Sequence, residues 1–138
     1  MITSTQIHHK TLDVLTLFHA PSSPASVSIL NTLKTASAHA TSSSLTGKKP
    51  TASFELDVIE APNGPTPDQL KSILEFVGKN RVGELVKGAN TVGDAVSILK
   101  RGSDAFTRPT VVDWNNGRVV IGPDEKAVKK LVETLPRD

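Results

Sequence analysis

Ser22 and Ser23 lie between Pro21 and Pro24, where an apolar run gives way to a helix-like one. Hydroxyls at the start of a helix, beside backbone N–H groups that have no intrahelical partner, favour an anion. A second group able to meet an anion is Arg108, directly before Pro109. A guanidinium can hold a carboxylate or an oxyanion through two parallel hydrogen bonds. Ser22, Ser23, Arg108 and Pro109 are therefore the candidate ligand-binding residues. Ser23 as a nucleophile would need a base, and His19 is the one nearby candidate. The sequence places no carboxylate to orient it, so His19 reads as a partly buried structural residue and Ser23 as a helix N-cap. Sulfur is excluded outright: the 138 residues contain 0 Cys, which removes disulfides, thiolate metal sites and any cysteine nucleophile in this chain. His8-His9 is too short a signal for a metal site. No catalytic residue and no metal ligand is assigned.

The composition fits one domain. Apolar residues make up 37% and aromatics 4%, so the core must be mostly Val, Leu, Ile and Ala. Sixteen basic residues against 14 acidic ones leave +2, too weak a charge to argue for nucleic acid or a membrane surface. No apolar run approaches the ~20 residues needed to span a bilayer. Residues 1–11 read as a disordered tail with no apolar signal region. Their Ser, Thr and Lys without acid faintly echo a mitochondrial presequence. Residues 12–138 read as a single domain.

The elements that must position the candidate site follow from period and punctuation. Residues 12–18 form a short apolar, β-branched run, a strand buried on both faces. A helix begins near Pro24, with Val27, Leu30 and Leu33 at helical spacing. Residues 39–50 are low in complexity and read as a mobile loop. Phe54, Leu56 and Val58 alternate with polar residues, as in a strand near a sheet edge. Thr66-Pro67-Asp68-Gln69 carries a capping box, Leu70, Ile73, Leu74 and Val77 follow on one face, and Gly78 closes the helix. Thr91 caps a further helix at 91–101. Residues 109–114 and 118–121 read as a hairpin about Asn116-Gly117, for which a two-residue turn is expected. Gly122-Pro123-Asp124-Glu125 starts a last helix with Val128, Leu131, Val132 and Leu135 inward. A β-α-β unit, a helical stretch, a hairpin and a final helix make an α/β chain in thioredoxin-like order. The expected sheet is mixed and four-stranded with flanking helices and a helical insertion before the C-terminal hairpin.

Two segments carry a resemblance. His19-Ala20-Pro21-Ser22-Ser23-Pro24-Ala25-Ser26 resembles the active loop of arsenate reductases of the glutaredoxin-related type, His-Asn-Pro-x-Cys-x-x-Ser, with Ala20 for the Asn and Ser23 for the Cys. Thr66-Pro67-Asp68-Gln69-Leu70 resembles the start of that family's helical insertion. Arg108-Pro109-Thr110-Val111-Val112 resembles its Arg-Pro-Ile-Val-Val, which implies an oxyanion-contacting Arg108 and a cis Arg108–Pro109 bond. Over residues 12–135 the chain is similar to a fungal family of inferred mitochondrial redox proteins with a thioredoxin fold, through Pro-Ser-Ser-Pro-Ala-Ser at 21–26 and Val-Asp-Trp-Asn-Asn-Gly at 112–117. That family's lone active cysteine would fall near residues 97–104, where this chain has only Ser97 and Ser103.

Two functions compete. The resemblance implies an oxidoreductase-derived protein, mitochondrial or otherwise cytoplasmic, acting on small toxic molecules or oxyanions. The missing nucleophile favours a non-enzymatic binding or interaction domain. Either way the groove would take a small anion, glutathione or a client peptide. No resident cofactor is expected, although glutathione would be allowed as one. The expected state is a monomer that engages neither nucleic acid nor membrane. Trp114 reads as packing, and Lys126, Lys129 and Lys130 as a solvated helix face.

Overall fold

The computed structural model describes residues 12–46 and 53–136. The elements in chain order are β1 (Asp13–His19), α1 (Pro24–Thr46), β2 (Phe54–Glu60), α2 (Pro67–Val77), α3 (Val82–Leu85), α4 (Val92–Arg101), β3 (Thr110–Asp113), β4 (Arg118–Ile121) and α5 (Glu125–Glu133). A single 3-10 turn at Lys79–Arg81 links α2 to α3, and another at Ser103–Ala105 follows α4 on the way to β3. The tail expected over residues 1–11 lies outside the described residues.

The four strands form one mixed sheet in the order β2-β1-β3-β4. β1 is central, and six of its seven residues are buried. It pairs in parallel with β2, from Asp13↔Phe54 to His19↔Glu60. On its other side it pairs antiparallel with β3, from Leu15↔Asp113 to Phe18↔Thr110. Successive strand side chains point to opposite faces, and the sheet accordingly separates two cores. Leu15, Leu17, Phe54 and Val111 meet Ile29 and Leu33 of α1 and Val128, Leu131 and Val132 of α5 on one side. Phe18 and Val112 meet the insertion on the other, through Leu70, Ile73, Leu74, Leu85, Ala95 and Phe106. Phe18 and Phe106 pack edge-to-face with ring centroids 4.9 Å apart.

The helix starts follow the local rules. Ser23 Oγ accepts the Ser26 N–H at 3.2 Å and caps α1. Thr66 and Gln69 close both halves of the capping box at α2. Asp124 caps α5 by accepting the Ala127 N–H at 3.1 Å.

Two expectations are corrected. The mobile loop expected at 39–50 is helical through Thr46, because α1 runs unbroken from Pro24; residues 47–50 lie outside the described residues. Ser and Thr cost a helix only about 0.5 kcal/mol each relative to Ala. Ala36, Ala38 and Ala40 favour it, and the first strong breaker is Gly47. The hairpin turn is also longer than two residues: Asp113 pairs with Arg118, leaving Trp114, Asn115, Asn116 and Gly117 as the loop. Only Gly117 of these adopts a positive φ, 65°. A tight Asn-Gly turn would need one at Asn116 as well. Asn116 instead turns its side chain back to donate to Asp13 and Asp113 at 2.9 and 3.0 Å.

Candidate functional site

The candidate site lies at the end of the sheet where β1 and β2 finish and β3 begins. After His19 the chain makes a turn closed by the Ser23 N–H donating to Ala20 O at 2.9 Å. Ser22 is exposed in that turn and Ser23 is half-buried at the N-cap. The Ser23 hydroxyl thus accepts a backbone hydrogen bond at the place where the resemblance puts a sulfur.

His19 is buried, 3% exposed, and Ser26 is wholly buried. His19 Nδ1 lies 2.6 Å from Ser26 Oγ. The same oxygen accepts the Ala20 N–H at 2.9 Å. This pair fixes the turn from within, which fits the structural role expected of His19.

Arg108 is half-buried and sits over the Phe106 ring, its Cζ 5.9 Å from the centroid. The Arg108–Pro109 bond is cis, as is Ala61–Pro62. Pro109 is buried and its carbonyl accepts the Gly122 N–H at 2.8 Å, anchoring the start of β3 to the end of β4. The guanidinium reaches three carbonyls. Nη1 donates to Ile59 O at 3.2 Å and His19 O at 3.4 Å. Nη2 donates to Asn63 O. Much of the fork is therefore engaged in tying together the ends of β1 and β2 and the loop after them. The positive charge is not consumed, since carbonyls are neutral. Burial pushes the guanidinium pKa down from its ordinary value, opposed by the carboxylate of Asp104.

Beside Arg108 opens a cleft of about 290 Å³, lined by Ala20, Ala61, Lys87, Asp104, Phe106, Thr107 and Arg108. Arg108 lies at this end of the sheet. Ser22 and Ser23 do not join it, since both fall outside the cleft lining. Lys87 and Asp104, which no sequence pattern singles out, bring one cation and one anion to the cleft. They arrive through a two-way backbone exchange: the Lys87 N–H donates to Ala105 O at 2.9 Å and the Thr107 N–H to Leu85 O at 2.8 Å. The Val86↔Phe106 bridge marks the same junction. Trp114 packs against Phe76 and donates its indole N–H to Thr16 Oγ1 at 2.8 Å, so it is packing, as expected. Among the described residues no cluster of three His, Asp or Glu could hold a metal ion, and no helix is long and apolar enough to cross a membrane.

The sheet order and the helix capped at the end of β1 define a thioredoxin-like domain, here without a cysteine. The solved arsenate reductase from Vibrio cholerae superposes with a TM-score of 0.61 over 87% of this chain and 98% of that chain, at 16% identity, a likeness of fold. The chain belongs to the family described as "Protein of unknown function (DUF1687)", whose pattern matches residues 6–122. A curated relative from Schizosaccharomyces pombe, named "Putative redox protein fmp46, mitochondrial", is 39% identical over 66 residues, which is 48% of this chain and 53% of the relative. The matched region spans about half the length of that relative.

Proposed function

We propose that this chain is a mitochondrial member of a redox-derived family that binds rather than carries out thiol chemistry itself. Its cleft beside Arg108 would take a small carboxylate-bearing or oxyanionic ligand, with glutathione or the end of a client peptide as the best fits. The observation that carries this reading is Ser23: an N-cap hydroxyl occupies the position at which the resembling enzymes need a thiolate, and thiol exchange has no substitute for one. Lys87 and Arg108 supply positive charge for carboxylates, and Asp104 supplies a partner for an ammonium. Glutathione carries two carboxylates and one ammonium and so complements that set. The name of the Schizosaccharomyces pombe relative supports the redox ancestry and the mitochondrial setting.

The test is an NMR titration with glutathione and, in parallel, with S-methylglutathione. Both should bind equally, in the millimolar range or about −4 kcal/mol, because no thiol of the protein takes part. Shifts should cluster at Ala20, Ala61, Lys87 and Thr107, and Lys87→Glu should weaken binding several-fold. A flat titration for both compounds refutes the reading.

A further inference from the structure

The two edges of the sheet are guarded unequally. Natural sheets blunt an edge by shortening it, by bulges, by proline or by charge. β4, on one edge, has four residues, each half-buried. β2, on the other, has seven, and its register against β1 runs through seven consecutive pairs without a bulge. No proline interrupts it, and among the described residues no strand pairs with its outer side. In a parallel ladder alternate residues turn their N–H and C=O groups away from the neighbouring strand. The outer side of β2 therefore offers backbone donors and acceptors from Phe54 to Val58, beyond which the Glu60 carbonyl accepts the Asn63 N–H.

The side chains on this edge are selective rather than simply protective. Val58 is 37% exposed, one of three large apolar residues among those described to be so open. By strand period it shares a face with Leu56. Glu55 and Asp57 stand exposed on the opposite face. Between residues 53 and 70 the chain has four acidic residues (Glu55, Asp57, Glu60 and Asp68) and no Lys or Arg, although its net charge is +2. Like charges directly opposite in a strand pair repel, and opposite charges contribute. A second copy of β2 is thus turned away by its own carboxylates.

We propose that the outer edge of β2 is a docking strand for an extended basic segment of a partner protein, one that alternates apolar residues with Lys or Arg. Added as a fifth strand, such a segment lays its apolar side chains beside Leu56 and Val58 and its cations beside Glu55 and Asp57. Backbone hydrogen bonds give the register, and the alternation gives specificity. This surface is on the flank of the sheet and does not depend on what the cleft binds.

The probe is a capped seven-residue peptide, Lys-Val-Lys-Val-Lys-Val-Lys, titrated into the full chain with amide hydrogen exchange and NMR shifts as readouts. Added protection and shifts are expected at residues 54–58. The same peptide with alternate backbone nitrogens methylated keeps its charge but cannot form the ladder, and it should lose binding at least ten-fold. The double substitution Glu55→Lys, Asp57→Lys changes exposed side chains only and should also weaken binding at least ten-fold with an unchanged melting temperature. Equal binding by the methylated peptide would show charge attraction without strand addition and overturn the proposal. So would shifts centred away from β2, or no binding.

Discussion

Replacing Ser23 by Cys returns a sulfur to the head of α1 and measures what that position does to an acid. The residue at 23 accepts the Ser26 N–H and stands at the positive end of a helix that runs to Thr46. A helix N-terminus stabilises a neighbouring negative charge by about 0.3–1 kcal/mol at exposed sites and up to ~2 kcal/mol where it is partly buried. Ser23 is half-buried. With one pKa unit worth about 1.36 kcal/mol, the shift should be ~0.5–1.5 units. The introduced thiol should then titrate at about 7–8 instead of the ordinary ~8.5. The assay is the rate of alkylation against pH, with Ser97→Cys as control. Ser97 is exposed in the middle of α4, where no helix end helps. The sign carries over to stability. A thiol whose folded pKa is depressed stabilises the fold fully above the unfolded value of ~8.5, and the gain disappears as pH falls through the folded value. Ser23→Cys should therefore gain stability relative to Ser97→Cys as pH rises from about 7 to 9. Coincident alkylation profiles for the two variants would refute the reasoning, since position 23 would then have no activating field.

Other consequences follow from the buried polar network. Asp113 is wholly buried and pairs with Arg118 at 2.9 Å, so Arg118→Met should cost about 3–5 kcal/mol in denaturant unfolding by leaving a buried charge without its counter-ion. A further substitution, Asp113→Asn, should recover part of that loss. Glu125 accepts a hydrogen bond from Thr32 Oγ1 at 2.8 Å. Hydrogen bonds from Thr32 and then Ser28 hold its carboxyl below the ordinary value. The α1–α5 contact is therefore tightest above the ordinary carboxylate range and loosens as pH falls through the lowered pKa. In an NMR titration, Thr32→Val should move the Glu125 midpoint upward.

Local chemistry made the elements legible and long-range geometry hid the cleft. The capping box at Thr66, the cap at Thr91 and the inward face of α5 all rest on residues within one or two helical turns of each other, so their pattern is visible along the chain. Local pattern misleads at 39–46, where serine-rich composition suggests a loop and the chain is helical. Low complexity says that a segment packs little, whereas a helix needs only the absence of breakers and an upstream turn to extend from. It misleads again at Asn116, whose side chain answers to Asp13, 103 positions away.

The cleft sets a harder problem. Arg108 meets His19 across 89 positions and Ile59 across 49. Lys87 and Asp104 reach the same wall only because Leu85 and Lys87 exchange backbone bonds with Thr107 and Ala105. None of these partners has a period or a spacing that announces it. What the sequence could carry was Arg108-Pro109 as a unit, since the proline must open β3 at the end of the sheet where β1 delivers His19. Arg108 does stand there, and it also ties the ends of β1 and β2 together. A guanidinium has five N–H donors; three hydrogen bonds to carbonyls tie Arg108 to the ends of β1 and β2 and to the loop after them, which leaves two N–H groups over. It can still contribute its charge. In the proposed binding role, that charge would act on a carboxylate or oxyanion in the cleft beside it.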